Sequence, residues 1–187
     1  MYAMLRTRPD VALAISLTNR FQSNPEMAHW TAVKNILKYL RRTKDLFIVY
    51  RGVDEELIVK GYADASLGSD LDDSKSHTGY VFMLNGGAIS WRSGKQSVIA
   101  QSTMELEYIA ACEALNEALW LKKFVIDLGV FSSCTNPMGI FCDNTGVIAN
   151  AKEPRTHSTA KHILQKFHVT RGYIRDGHTR IHKYIRI

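Results

Sequence analysis

The stretch HTGYVFMLNGGAISWR, residues 77–92, decides the architecture. His77 to Leu84 and Ala88 to Arg92 are both strand-like, and Asn85-Gly86-Gly87 lies between them. An Asn-Gly pair between two such runs is a strong hairpin signal, because the tight turn needs positive φ at its centre. Upstream, Leu57 to Ala63 is a short apolar run interrupted by Lys60, which reads as a strand. The polar, acidic stretch Ser66 to Ser76 separates it from the hairpin as a loop. Residues 57–92 therefore read as three consecutive strands.

Beyond the hairpin, Ser102-Thr103-Met104-Glu105 has the spacing of a capping box. The helix that it starts carries Leu106, Ala110, Ala111, Ala114, Leu115, Ala118 and Leu119, and Gly129 ends it. Met138 to Cys142 reads as a fourth strand, and Asn144 to Ala151 as a short helix stopped before Pro154. His157 to Arg175 has mixed helical character, Asp176-Gly177 turns the chain, and Arg180 to Ile187 alternates as a fifth strand.

Before residue 52 the character is helical. Pro9 suits a first turn, where its missing N–H costs nothing. Val11, Ile15 and Phe21 follow, and Asn24-Pro25 marks a break. Trp30, Val33, Ile36, Leu37 and Leu40 then recur at helical spacing, with Lys34, Lys38, Arg41 and Arg42 on the polar side and an end near Thr43. Leu46 to Tyr50 reads as a further strand, and Gly52 with Asp54 as a turn. The expected organisation is a helical segment, 1–52, followed by an α/β unit, 53–187, ordered β-β-β-α-β-α-α-β around a mixed five-stranded sheet.

The chain has 187 residues, 45% hydrophobic and 22% charged, enough to bury a core without disulfide staples. A net charge of +6 suits a polyanionic partner. Cys112, Cys134 and Cys142 show no CxxC spacing, which argues against a disulfide framework or a cysteine zinc site. The spacings of His157, His162, His168, His178 and His182 match no compact zinc ligand set. No run of about 18 apolar residues suggests a membrane span. The first ten residues lack the apolar core of a signal peptide, so an intracellular location is expected.

The chemistry rests on three acids. Asp64 ends the first of the three strands, Glu107 lies in the first turns of the long helix, and Asp143 ends the fourth strand. If the first and fourth strands are parallel neighbours, Asp64 and Asp143 lie side by side at their carboxyl ends, where open α/β sheets place their sites. Glu107 then points at them from the helix packed across. Carboxylates so close repel one another, and a divalent cation with oxygen ligands relieves that cost. Glu105 competes with Glu107, but the capping box gives Glu105 a local role. Acids at strand ends and in first helical turns are also commonplace without any metal.

Several motifs, in order, resemble one family. Gly61-Tyr62-Ala63-Asp64-Ala65-Ser66, Ser76-His77-Thr78-Gly79-Tyr80-Val81-Phe82, the stretch from Asn85 to Gln96, Ser102-Thr103-Met104-Glu105-Leu106-Glu107-Tyr108-Ile109-Ala110, Cys142-Asp143-Asn144 and Lys161-His162-Ile163 are similar to the ribonuclease H domain of copia-type LTR retrotransposon Pol polyproteins. Thr7-Arg8-Pro9-Asp10, His29-Trp30 and Lys38-Tyr39-Leu40-Arg41-Arg42-Thr43 resemble the stretch joining the reverse transcriptase to that domain. The resemblance covers nearly the whole chain and looks plant-like.

The resemblance implies a ribonuclease H-like fold, Mg²⁺ (or Mn²⁺) held by Asp64, Glu107 and Asp143, and cleavage of the RNA strand of RNA–DNA hybrids. It also implies membership of a larger reverse transcriptase polyprotein. Ser66, Arg92, Lys95, Gln101, Asn144 and His162 are the expected nucleic-acid contacts, and His157 or His162 the mobile histidine that assists product release. The family has a fourth acid in an Ala-Asp pair beyond the fifth strand, followed by a last helix. No residue before Ile187 matches them, so a domain truncated at its C-terminus is expected. A duplex-binding module with an impaired metal site, and an inert remnant, are the competing readings. An integrase-type nuclease on the same fold is disfavoured, because there the Glu normally comes last.

Overall fold

A computed structural model describes residues 2–50, 57–66, 75–97, 100, 102–129, 137–152 and 171–184. Its strands are β1 (Val59–Ser66), β2 (His77–Leu84), β3 (Gly87–Lys95), β4 (Met138–Cys142) and β5 (Thr179–Lys183). Its helices are α1 (Tyr2–Arg6), α2 (Ala12–Thr18), α3 (Met27–Arg42), α4 (Thr103–Asp127) and α5 (Thr145–Lys152). The five strands form one sheet in the order β3-β2-β1-β4-β5. Strand β1 is antiparallel to β2, and β2 to β3, whereas β1 with β4 and β4 with β5 are parallel. This is the mixed sheet that the order of elements implies.

The hairpin forms as its residues dictate, with Asn85 at φ 48° and Gly86 at φ 80°. Ser102 caps α4, its hydroxyl accepting from the Glu105 N–H at 3.2 Å. Helix α4 covers one face of the sheet. Tyr108, Ala111, Cys112, Ala114, Leu115, Ala118 and Leu121 pack there with Val59, Ala63, Phe82, Ile140 and Val147.

Gly61 sits where this packing leaves no room for a side chain. A Cβ at Gly61 would lie 2.5 Å from the fully buried Phe82 ring, so the ring or the backbone would have to shift. Gly61→Ala is expected to cost about 1–3 kcal/mol by overpacking. The denaturation midpoint measures it, and an unchanged midpoint would show that the ring yields freely.

The opposite face is aromatic. Tyr62 stacks on Phe141 with centroids 5.3 Å apart and meets Tyr184 edge-on at 5.8 Å. Phe141 in turn stacks on His182 at 5.2 Å. In the sheet register Tyr62, Val81 and Trp91 are cross-strand neighbours.

The opening residues dock at the β3 end of the sheet. The Trp91 indole N–H donates to the Met4 carbonyl at 2.6 Å. A guanidinium nitrogen of Arg20 meets His77 Nδ1 at 2.6 Å. The Tyr50 hydroxyl donates to the Ala88 carbonyl at 2.7 Å, its ring lying against Gly87.

Some expected elements differ. Leu46 to Tyr50 is not a strand. Its aromatic and β-branched residues satisfy the propensity, but Tyr50 is used in side-chain packing rather than in a ladder. Strand β5 begins at Thr179 and ends at Lys183. Residues 171–175 are helical, while the rest of the expected helical stretch from His157, and the expected boundary near 52, lie outside the described residues. Among the described residues no helix is long and apolar enough to cross a membrane.

Candidate metal centre

Parallel pairing of β1 and β4 sets Tyr62 opposite Phe141. Two residues further on, that register brings Asp64 level with Asp143, and Glu107 lies one turn into α4. The three carboxylates each offer an oxygen, and these oxygens all lie within 4.8 Å of one another. Asp64 and Asp143 are exposed, and Glu107 is half-buried.

The electrostatics follow from that spacing. Burial pushes the Glu107 carboxyl up to about 7, and the charges of Asp143 and then Asp64 add to the rise. A hydrogen bond from the Ala65 N–H opposes it. The same N–H donates to Asp64 Oδ1 at 2.9 Å. Glu107 Oε2 is buried and has no hydrogen-bond partner among the described residues.

An orphaned carboxylate oxygen beside two further carboxylates is what a hard divalent cation satisfies. The residues present therefore fit such an ion, and the donor set is all oxygen. Glu105 takes no part in this cluster. The neighbouring thiol is not a competitor in chemistry, since burial raises Cys142 to about 11 and keeps it protonated.

A cavity of about 650 Å³ adjoins the carboxylates. Asp64, Asp143, Ser66 and Arg92 line it together with Tyr62, Phe141 and Tyr184. Two of the expected contact residues, Ser66 and Arg92, thus face the same space as the acids. Lys95 lies at the end of β3, cross-strand from His77. Asn144 has a local role, its side-chain oxygen accepting from the Gly146 N–H at 2.8 Å and the Val147 N–H at 3.3 Å. It therefore caps the start of α5. Gln101, His157 and His162 lie outside the described residues.

One wall of the cavity is not foreseen from the sequence. Pro9, Asp10, Ala12 and Leu13 line it, brought there by the docked opening segment. Arg8 grips Asp10 through two hydrogen bonds of 3.0 and 2.7 Å and donates to the Thr43 carbonyl at 3.1 Å. The Tyr39 hydroxyl donates to Asp10 at 2.8 Å. The Arg8 guanidinium holds the Asp10 carboxyl below its ordinary value. The motif Thr7-Arg8-Pro9-Asp10 is visible in the sequence, but nothing in its spacing says where it docks.

No protein-family model matches the chain. Among known proteins it is 43% identical over 183 residues to the retrovirus-related Pol polyprotein from transposon TNT 1-94 of Nicotiana tabacum, covering 98% of this chain and 13% of that one. It is 33% identical over 175 residues to the Pol polyprotein from transposon RE2 of Arabidopsis thaliana, covering 94% and 12%. The chain is a homologue of the retrovirus-related Pol polyproteins of plant transposons. It spans about one eighth of the length of these polyproteins.

A similar sequence also occurs in the secreted RxLR effector protein 161 of Plasmopara viticola, 43% identical over 121 residues, 65% of this chain and 84% of that one. Among solved structures, a foamy viral protease-reverse transcriptase in complex with double-stranded DNA aligns over 100% of this chain and 30% of its own, with a TM-score of 0.57 and 14% identity. LC11-RNase H1, isolated from compost, aligns over 69% of this chain and 85% of its own, with a TM-score of 0.47 and 16% identity. This Pol polyprotein homologue shares its mixed α/β fold with the foamy viral enzyme.

Proposed function

We propose that this chain is the ribonuclease H region of a copia-type Pol polyprotein, a metal-dependent endonuclease that hydrolyses the RNA strand of RNA–DNA hybrids. The observation that carries this reading is the convergence of Asp64, Glu107 and Asp143, with the buried Glu107 Oε2 left without a partner among the described residues, at the end of a ribonuclease H-like sheet.

Asp64, Glu107 and Asp143 would hold Mg²⁺, for which Mn²⁺ substitutes. Such an ion, when bound, supplies Lewis-acid stabilisation of the phosphoryl oxygens and a water of lowered pKa. The chain does the rest. Asp64 and Asp143 present fixed negative charge at the strand ends, and Glu107 gives up its proton when the site is loaded. Ser66, Arg92 and Lys95 contact the sugar–phosphate backbone, which positions a duplex without reading its sequence. Gln101, Asn144 and His162 are assigned the same class of contact. Backbone groups after Asp64 and side chains near Glu107 sense the 2′-hydroxyl, the group that distinguishes RNA from DNA.

The test is cleavage of a labelled RNA–DNA hybrid by the purified chain with Mg²⁺ or Mn²⁺. Cleavage of the RNA strand is expected, while a DNA duplex of the same sequence stays intact. A folded protein that binds the hybrid but leaves it whole would overturn the enzymatic reading and leave a duplex-binding module.

A further inference from the structure

Helix α3 carries Lys34, Lys38, Arg41 and Arg42 and no acidic residue. Spacings of three and four put these cations on one ridge, where like charges destabilise an isolated helix. All four are exposed, and among the described residues no carboxylate pairs with any of them. The ridge thus carries positive charge that no carboxylate among the described residues compensates.

We infer that this ridge of α3 docks on the phosphate backbone of a nucleic-acid duplex, extending the substrate contact beyond the carboxylate centre. The inference rests on the proposed binding of RNA–DNA hybrid, and adds a second, distant contact to it. Three observations carry it. The first is charge complementarity, four unpaired cations for a polyanion.

The second is length. Residues 34–42 span roughly 12 Å along a helix axis, the axial rise of about three to four nucleotides of one strand. The third is attachment. Tyr39 of α3 bonds Asp10, Arg8 bonds both Asp10 and the Thr43 carbonyl at the end of α3, and Asp10 lines the cavity that holds Asp64 and Asp143. These side-chain bonds tie the ridge to a wall of the cavity that Asp64 and Asp143 also line, which suits a second contact on the same duplex.

The experiment uses the full chain with chelator, so that binding is read without cleavage. Fluorescence anisotropy follows a labelled hybrid of about two helical turns, ~20 base pairs, across a salt series. The variant is Lys34→Gln/Lys38→Gln/Arg41→Gln/Arg42→Gln, with circular dichroism to confirm its fold. Each phosphate that the variant no longer neutralises should make the slope of log K against log salt shallower by about 0.9, so a change of about 2–3 is expected, with affinity at least ~10-fold weaker at low salt. If the quadruple variant fails to fold, Lys38→Gln/Arg42→Gln is expected to give about half the slope change.

An unchanged slope in a folded variant overturns the inference. So does a loss of binding to anionic lipid vesicles with hybrid binding intact, which would make α3, with its exposed Trp30 and Leu37, a membrane-surface helix instead. The two readings fail separately. Cleavage with an unchanged slope removes only the ridge, and ridge-dependent binding without cleavage removes only the nuclease.

Discussion

Asp64→Asn should lower hybrid cleavage by at least about 100-fold and leave the fold intact. Losing a group that merely orients a metal ligand typically costs 10–100-fold, so losing a ligand's charge should cost no less. The change is nearly isosteric, and Asp64 is exposed near the end of β1, its side chain accepting a hydrogen bond from the Ala65 N–H. An amide oxygen can still accept that bond. Thermal unfolding and single-turnover cleavage, measured on the same preparation, separate the two effects. Retained cleavage in pure, folded Asp64→Asn protein would sink the assignment of this centre.

Glu107→Gln should move stability and activity in opposite directions. The folded-state pKa of about 7 lies above the ordinary glutamate value of 4.5. Between those values the folded chain holds a proton that the unfolded chain has released. Metal-free protein therefore loses stability as pH rises from about 4.5 to about 7, and the cost is fully present above that.

Glutamine carries no charge to bury and should stabilise metal-free protein at pH 8 by on the order of 1–2 kcal/mol, allowing for screening at a half-buried site. Cleavage should be lost. Added Mg²⁺ should raise the melting temperature of the wild type and not of the variant. A Gln variant that melts at or below the wild type at pH 8 in chelator would contradict the electrostatic account of the cluster.

Much of this architecture is written locally. The hairpin turn at Asn85-Gly86, the capped start of α4 at Ser102 and the run Met138–Cys142 each depend on a few neighbouring residues, and each forms where the sequence places it. The acidic cluster needs one further step, the parallel pairing of the first and fourth strands, which the order of elements suggests but does not compel. Glu107 rather than Glu105 joins the carboxylate cluster, and the sequence favours it only through the capping-box spacing of Ser102 and Glu105.

What is not legible is long-range. The Trp91 indole N–H is spent on the carbonyl of Met4, a partner that no pattern local to either residue announces. Leu46 to Tyr50 has strand composition, but the use of Tyr50 against Gly87 and Ala88 is decided by docking. The Asp10 wall of the cavity belongs to the same class. Its position depends on how α2 and α3 settle on the sheet, and no local pattern encodes that.

The seam between β1 and β4 has a further consequence, for the order of folding. Strands β1, β2 and β3 follow one another directly, and β2 and β3 are joined by a two-residue turn, so their pairings close short loops. The β1–β4 seam joins Gly61 to Ile140 across the whole of α4, and such non-local parallel pairing carries the larger entropy of loop closure. Asp64 and Asp143 meet only when that seam closes, and their mutual repulsion opposes its last step. The meander and α4 should therefore gain structure first, with the acidic cluster the last part of the sheet to come together. A divalent ion would then recognise only chains that have finished folding, and its arrival would slow their unfolding rather than speed their collapse.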